Sequence, residues 1–250
     1  PAVPAQASRS RSPAPLPPSL SPLPYLSEDE VEDAGAGKVS DDDEANDLLT
    51  RNIVFQKRFK DVGVMQKDEA LSWGWVGPCL RGSGVAYDVR KSHPYSGYEQ
   101  YDFDVPVGTV GDCFDRYLVR MEEMRQSIRI IEQALAKLPG GPVITDDRKV
   151  ALPPKSEVYS NIESLMNHFK LVYDGILPPP GEVYGYTEGA NGELGFYVVS
   201  DGGKHPWRVK VRPPCYNIYQ AYPHMIQGGM LADAVAIIGG LNVIAGELDR

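Results

Sequence analysis

The chain has 250 residues, 25 Lys and Arg against 34 Asp and Glu, and a formal net charge of −9 at pH 7. Residues 1–47 carry −7 of that charge, so the body is close to neutral at −2 and offers no basic surface for nucleic acid. Three cysteines, Cys79, Cys113 and Cys215, lie too far apart for a CxxC metal knuckle or a dense disulfide framework, which fits a reducing compartment.

In chain order, residues 1–27 hold eight of the 22 prolines among repeated serines, and the next twenty hold ten acids and one lysine. Such a stretch buries little apolar surface, so residues 1–46 are expected to form a disordered or partner-wrapping leader ahead of one globular unit over 47–250. No methionine precedes Pro1, so a trimmed amino terminus is expected. Leu48, Leu49, Ile53 and Phe55 suggest a short helix over 48–60 with no evident cap, and Asp68-Glu69-Ala70-Leu71 a second one closed by Gly74. Residues 74–111, dense in Gly, Pro, Tyr and Asp, read as ordered loop.

The clearest element runs from Asp112, an N-cap candidate, to about Leu138 before Pro139-Gly140-Gly141. Phe114, Leu118, Met121, Met124, Ile128, Ile131, Leu135 and Leu138 recur every three or four residues, while Asp115, Arg116, Arg120, Glu122, Glu123, Arg125, Arg129 and Glu132 make the other face, either solvated or turned to a partner. One more helix is expected over Ser156–Tyr173. Three strand-like runs follow, Val183 to Glu188, Leu194 to Ser200 and Trp207 to Arg212, as an antiparallel meander. In the last run Arg208, Lys210 and Arg212 share a face that suits a phosphate, an acidic partner or plain solvent. A buried helix from Met230 to Ile238, broken at Gly239-Gly240, precedes an apolar extended tail. Asp233, Gly239, Gly240, Asn242 and Glu247 make this stretch too costly for hydrocarbon, so a soluble or membrane-peripheral protein is expected. The fold class is α+β.

Catalytic signatures are scarce. Arg81-Gly82-Ser83-Gly84 lacks the P-loop spacing, no GxSxG elbow occurs, and His93, His168, His205 and His224 share no metal-ligand spacing. Asp102 and Asp104 are the one conceivable acid and base pair, with no evident partner.

Several runs carry a resemblance: Asp104-Val105-Pro106-Val107-Gly108, Gly111 to Leu118, Met121 to Ser127, His168-Phe169-Lys170, Gly192-Glu193-Leu194-Gly195, Val199 to Gly202, and Gly246-Glu247-Leu248-Asp249-Arg250. Over about 47–250 the chain resembles the hydrogenase-like core subunit (NuoD type) of respiratory complex I, NADH:quinone oxidoreductase. The resemblance implies a fold similar to the carboxy-terminal half of the nickel-iron hydrogenase large subunit, without its metal. It implies part of a site that reduces ubiquinone with electrons from NADH, coupled to proton pumping, at the matrix side of the mitochondrial inner membrane. No cofactor is expected on this chain alone; quinone would sit at a shared site, and an iron-sulfur cluster in a neighbouring subunit.

The family's headgroup-binding histidine and tyrosine belong to an amino-terminal half with no match here, so a split subunit is expected, with a separate chain supplying that half. Ile244, Ala245 and Gly246 are the candidates for lining the quinone pocket, with no catalytic residue and no metal ligand expected. Asn242 and Ala245 stand where the family usually has an acid and a bulky aromatic, which alters charge and pocket size. The alternative is a stand-alone structural or assembly protein derived from the same subunit. A metal-dependent hydrogenase subunit is disfavoured, because the chain ends in Asp249-Arg250 without a CxxC pair.

Overall fold

The long helix positions everything around it in the computed structural model, which describes residues 46–148 and 150–249. Except for Asn46, the leader expected over 1–46 lies outside the described residues. A π-helical turn, Asn46–Thr50, leads into α1 (Ile53–Phe59), and the cap not evident from the sequence is Asn52, whose side chain accepts from the Val54 and Phe55 N–H groups. After α2 (Lys67–Ser72), the segment expected as loop contains α3 (Gly77–Gly82), α4 (Val89–Ser92) and a 3-10 turn, Tyr98–Gln100. All six residues of α3 are buried, so it has no amphipathic period to read.

Helix α5 (Cys113–Ala136) begins where Asp112 accepts the Asp115 N–H at 2.7 Å. Its orientation differs from the sequence expectation. The buried residues are Cys113, Arg116, Val119 and Met121, whereas Leu118, Met124, Ile131 and Leu135 from the apolar stripe stand exposed. Arg116, 0% exposed, can lie inside because its guanidinium donates to the Gly111 and Gly63 carbonyls at 2.9 and 2.8 Å.

The single helix expected over 156–173 is two, α6 (Lys155–Ser160) and α7 (Ile162–Tyr173). They part at Asn161, whose extended backbone ends the first helix while its side chain caps the second through the Glu163 N–H. The meander is present as β1 (Gly181–Gly189), β2 (Gly192–Ser200) and β3 (Arg208–Arg212), antiparallel in that order, with Ala190-Asn191 as a two-residue turn. This turn presses on the start of α3: a Cβ on Gly77 would lie 2.4 Å from the Gly192 Cα, and both glycines have positive φ.

The chain then forms α8 (Pro214–Gln220), α9 (Tyr222–Met225), α10 (Leu231–Leu241) and α11 (Ala245–Leu248). Two expectations are corrected here. Helix α10 continues through Gly239-Gly240, because Gly240 lets the helix approach α5: a Cβ there would meet Cys113 Sγ at 3.1 Å. The tail is not extended, since the backbone reverses at Asn242, φ 55°, and enters α11. Met65, Trp75, Leu80, Cys113, Ile218, Ile237 and Leu241 form the centre of the core, which joins α3, α5, α8 and α10. The α+β class expected from the sequence is therefore the class observed.

Candidate functional site

The tail holding Ile244, Ala245 and Gly246 is anchored on both sides. Upstream, Arg120 of α5 donates to the carbonyls of Gly240 and Leu241 at 2.7 and 3.3 Å, placing a cation at the negative end of α10. Asn242 occupies the left-handed region, which asparagine tolerates, and its amide donates to Asn191 Oδ1 at 2.9 Å. The buried Asn191 amide in turn lies 3.3 Å from Cys215 Sγ. Downstream, Glu247 accepts the Cys215 N–H at 3.2 Å, at the start of α8. Burial first and Glu247 second push the Cys215 thiol up to about 11, so it stays protonated at neutral pH.

Between these anchors the three candidate residues face outward. Ile244 is 47% exposed, Ala245 and Gly246 are exposed, and nothing lies within 4 Å of a Cβ built on Gly246. They form one apolar ledge with fixed backbone and no titratable side chain. Among the described residues, no segment folds over it.

A second constellation, with no counterpart in the sequence expectations, surrounds Arg81. Its side chain, 2% exposed, meets Glu123 at 2.5 Å, Glu188 at 3.0 Å and Asp88 at 3.8 Å, so α3, α5, α4's cap and β1 converge on one guanidinium. Asp88 has a second cation in Arg90 at 2.7 Å, and these partners hold its carboxyl below the usual range against the effect of burial. Burial pushes Glu123 and Glu188 up, with Arg81 opposing. Beside them Tyr87 donates to Glu193 at 2.9 Å, and its phenol is raised to about 12 by burial and that carboxylate. Arg81 is separated from Glu123 by 42 positions and from Glu188 by 107, so no local pattern announces the cluster.

Several other residues singled out from the sequence have structural partners. Asp102 and Asp104 are both exposed and both pair with Arg129, which makes them a brace on α5 and not an acid and base pair. In the cationic row of β3, Arg212 is turned inward, donating to the Glu193 and Gly74 carbonyls, while Arg208 and Lys210 stay exposed. His224 pairs with Glu69 at 2.6 Å. Among the described residues, no group of three or more His, Cys, Asp or Glu side chains is placed to hold a metal ion, and no helix is long and apolar enough to cross a membrane. A cleft of about 270 Å³ opens between Pro106, Thr109, Leu118 and Glu122, but Asp115 beside it is spent on the N–H groups of Thr109, Val110 and Gly111.

Comparison with known proteins adds the family context. A family model described as "Respiratory-chain NADH dehydrogenase, 49 Kd subunit" matches residues 23–250, which includes part of the stretch assigned to the leader. The C/D-type subunit of the NADH-quinone oxidoreductase of Bdellovibrio bacteriovorus is 56% identical over 208 residues, 83% of this chain and 37% of that protein. The D-type subunit of the Myxococcus xanthus enzyme is 53% identical over 208 residues, 83% and 50% of the two chains. Its counterpart in Leptospira biflexa is 55% identical over 207 residues, 83% and 51%. The chain spans about half the length of these curated relatives, or less.

Proposed function

Because the chain belongs to the family of the 49 kDa subunit of respiratory-chain NADH dehydrogenase, we propose that it is a core component of complex I and forms part of its quinone-reduction site. The carrying observation is the ledge of Ile244, Ala245 and Gly246, apolar, exposed, and held on either side by the hydrogen bonds of Asn242 and Glu247. Small apolar residues on a fixed backbone suit the flat face of a quinone ring and its isoprenoid tail. An open ledge becomes a pocket only against a second surface, so the neighbouring subunit with the terminal iron-sulfur cluster supplies the opposite wall and the electrons. This chain contributes shape. Its ledge carries no group that could give or take a proton, so the protons of quinol come from elsewhere in the complex.

Asn242 fits the same reading. Its amide donates to Asn191, a bond that a carboxylate could accept only after the Asn191 amide turned over. The uncharged Asn242 and the small Ala245 leave a wider and less acidic approach than an acid and an aromatic would.

The relatives named above are bacterial, so a mitochondrial inner-membrane location on the matrix side, a separate chain carrying the amino-terminal half, proton pumping and the nickel-iron hydrogenase likeness are further parts of this proposal. Native separation of mitochondrial membranes, with mass spectrometry of the band active in NADH:quinone reduction, tests location and partners together: the chain should be there, beside a chain bearing that half. The wall itself is tested by kinetics. Ala245→Asp, which sets a charge on the apolar ledge, should in the intact complex raise KM for ubiquinone about tenfold, or roughly 1.4 kcal/mol, while leaving NADH oxidation by an artificial acceptor intact. An unchanged KM would remove the ledge from the site.

A further inference from the structure

Three residues far apart in sequence, Asn191, Cys215 and Asn242, close a small ring of hydrogen bonds just ahead of the ledge. The Asn242 amide donates to Asn191 Oδ1 at 2.9 Å, the Asn191 amide donates to Cys215 Sγ at 3.3 Å, and the Cys215 thiol donates to the Asn242 carbonyl at 3.9 Å. Asn191, 2% exposed, is the member held most firmly. The turn that carries it closes at the Gly189 and Gly192 pair, and Arg212 of β3 donates to the Glu193 carbonyl at 2.8 Å and to the Gly74 carbonyl at 3.4 Å. On its other side a Cβ on Gly77 would lie 2.5 Å from the Asn191 carbonyl oxygen, so the turn is pressed against α3. Asn242 is exposed and caps α10 with φ 55° and ψ 51°, the residue at which the chain changes direction. Small rotations about such a residue swing everything that follows it. Downstream, Val243 packs against the core and Glu247 accepts the Cys215 N–H. These contacts fix the depth and the far end of the tail, whereas the direction in which it leaves α10 is set at Asn242.

We propose that Asn191 is a positioning residue for the ledge, acting through Asn242 to fix where Ile244, Ala245 and Gly246 stand against the ubiquinone headgroup and tail. This rests on the quinone-site reading of the ledge, and it adds that the wall is set from the β1–β2 turn, 51 positions away from Asn242 in sequence. Asn191 is buried and reaches the ledge through another side chain, so its effect falls on quinone binding and not on a chemical step.

A double-mutant cycle in the intact complex tests the role. Asn191→Leu keeps roughly the volume of the buried side chain and removes its polar atoms, while Asn242→Gly removes the partner amide and keeps the left-handed backbone. Each should raise KM for ubiquinone about fivefold, the worth of roughly one neutral hydrogen bond, with kcat held. Amide exchange should quicken in residues 243–248 and stay unchanged in β1 and β2. The double variant should also stand near about fivefold, because the same bond is lost once; a rise of about 25-fold, the product of two independent losses, would overturn the proposal. So would an unchanged KM in Asn242→Gly, which alters an exposed residue and decides the matter even if Asn191→Leu fails to assemble. Ala245→Asp separates this role from the reading beneath it. If Ala245→Asp raises KM while Asn191→Leu and Asn242→Gly do not, the ledge stands and the positioning role is overturned. If Ala245→Asp leaves KM unchanged, the quinone reading has failed, and amide exchange in residues 243–248 still decides whether Asn191 sets the tail.

Discussion

Three carboxylates close on the Arg81 guanidinium, and only Asp88 has a second ion-pair partner of its own among the described residues. Removing the shared cation is therefore far worse than removing one anion. Arg81→Met should destabilise the chain by about 3–5 kcal/mol, the usual cost of stranding buried charges, and a second substitution, Glu188→Gln, should recover part of the loss, measured as a non-additive shift in the urea midpoint. The pH dependence has two opposing signs. Glu123 and Glu188 are raised, so between the ordinary 4.5 and their folded values the native chain binds more protons than the unfolded one, and stability falls as pH rises through that window. Asp88 is lowered, so its stabilisation is complete above the ordinary 3.8 and is lost as pH falls through its folded value. Glu188→Gln should flatten the decline above pH 4.5 in a plot of urea midpoint against pH; an unaltered decline would contradict the placement of its proton. At Cys215, Glu247→Gln should bring the thiol down from about 11 toward its ordinary 9.0, seen in an ultraviolet thiolate titration.

At the scale of elements, glycine and asparagine set the close approaches. Gly77→Ala forces a Cβ to within 2.4 Å of the Gly192 Cα at a positive φ, so α3 and the β1–β2 turn must separate. The expected outcome is loss of the folded chain from expression or a thermal midpoint lower by several degrees, while Gly246→Ala, which meets nothing, leaves that midpoint unchanged. The sequence made some of these elements legible and hid others for identifiable reasons. Helix α5 and its Asp112 cap were readable from a three-and-four period and a capping residue, and the meander from three strand-like runs, the last of them alternating between Trp207 and Arg212. Which way α5 faced was not readable, because period alone does not say whether Arg116 or Met124 turns inward, and Arg116 donates to carbonyls 53 and five residues away. Helix α3 was invisible because all its sides are covered, and Gly239-Gly240 suggested a break when at least Gly240 serves contact with Cys113.

Among the described residues there is one dense core, while Met124, Ile131 and Leu135 of α5, Met166 and Phe169 of α7, and the ledge at Ile244 to Gly246 stand exposed. Patches of this kind mark interaction sites more often than solvent faces. Purified without partners, the chain should bind a hydrophobic dye such as anilinonaphthalene sulfonate and elute larger than its 27.5 kDa. A dye-silent monomer would argue that these faces are solvated in life. The candidate ledge itself was legible only through family resemblance, since three small apolar residues have no chemical signature, whereas the anchors that fix them, Arg120, Asn191 and Glu247, emerge only in three dimensions.

The central claim, that this ledge walls the quinone site, is tested most directly by irradiating the intact NADH:quinone oxidoreductase complex with a photoreactive ubiquinone and mapping the modified peptides. Labelling of the peptide bearing Ile244, Ala245 and Gly246, suppressed by excess unmodified ubiquinone, is the result expected. Label confined to other subunits, with that peptide recovered unmodified, would contradict it.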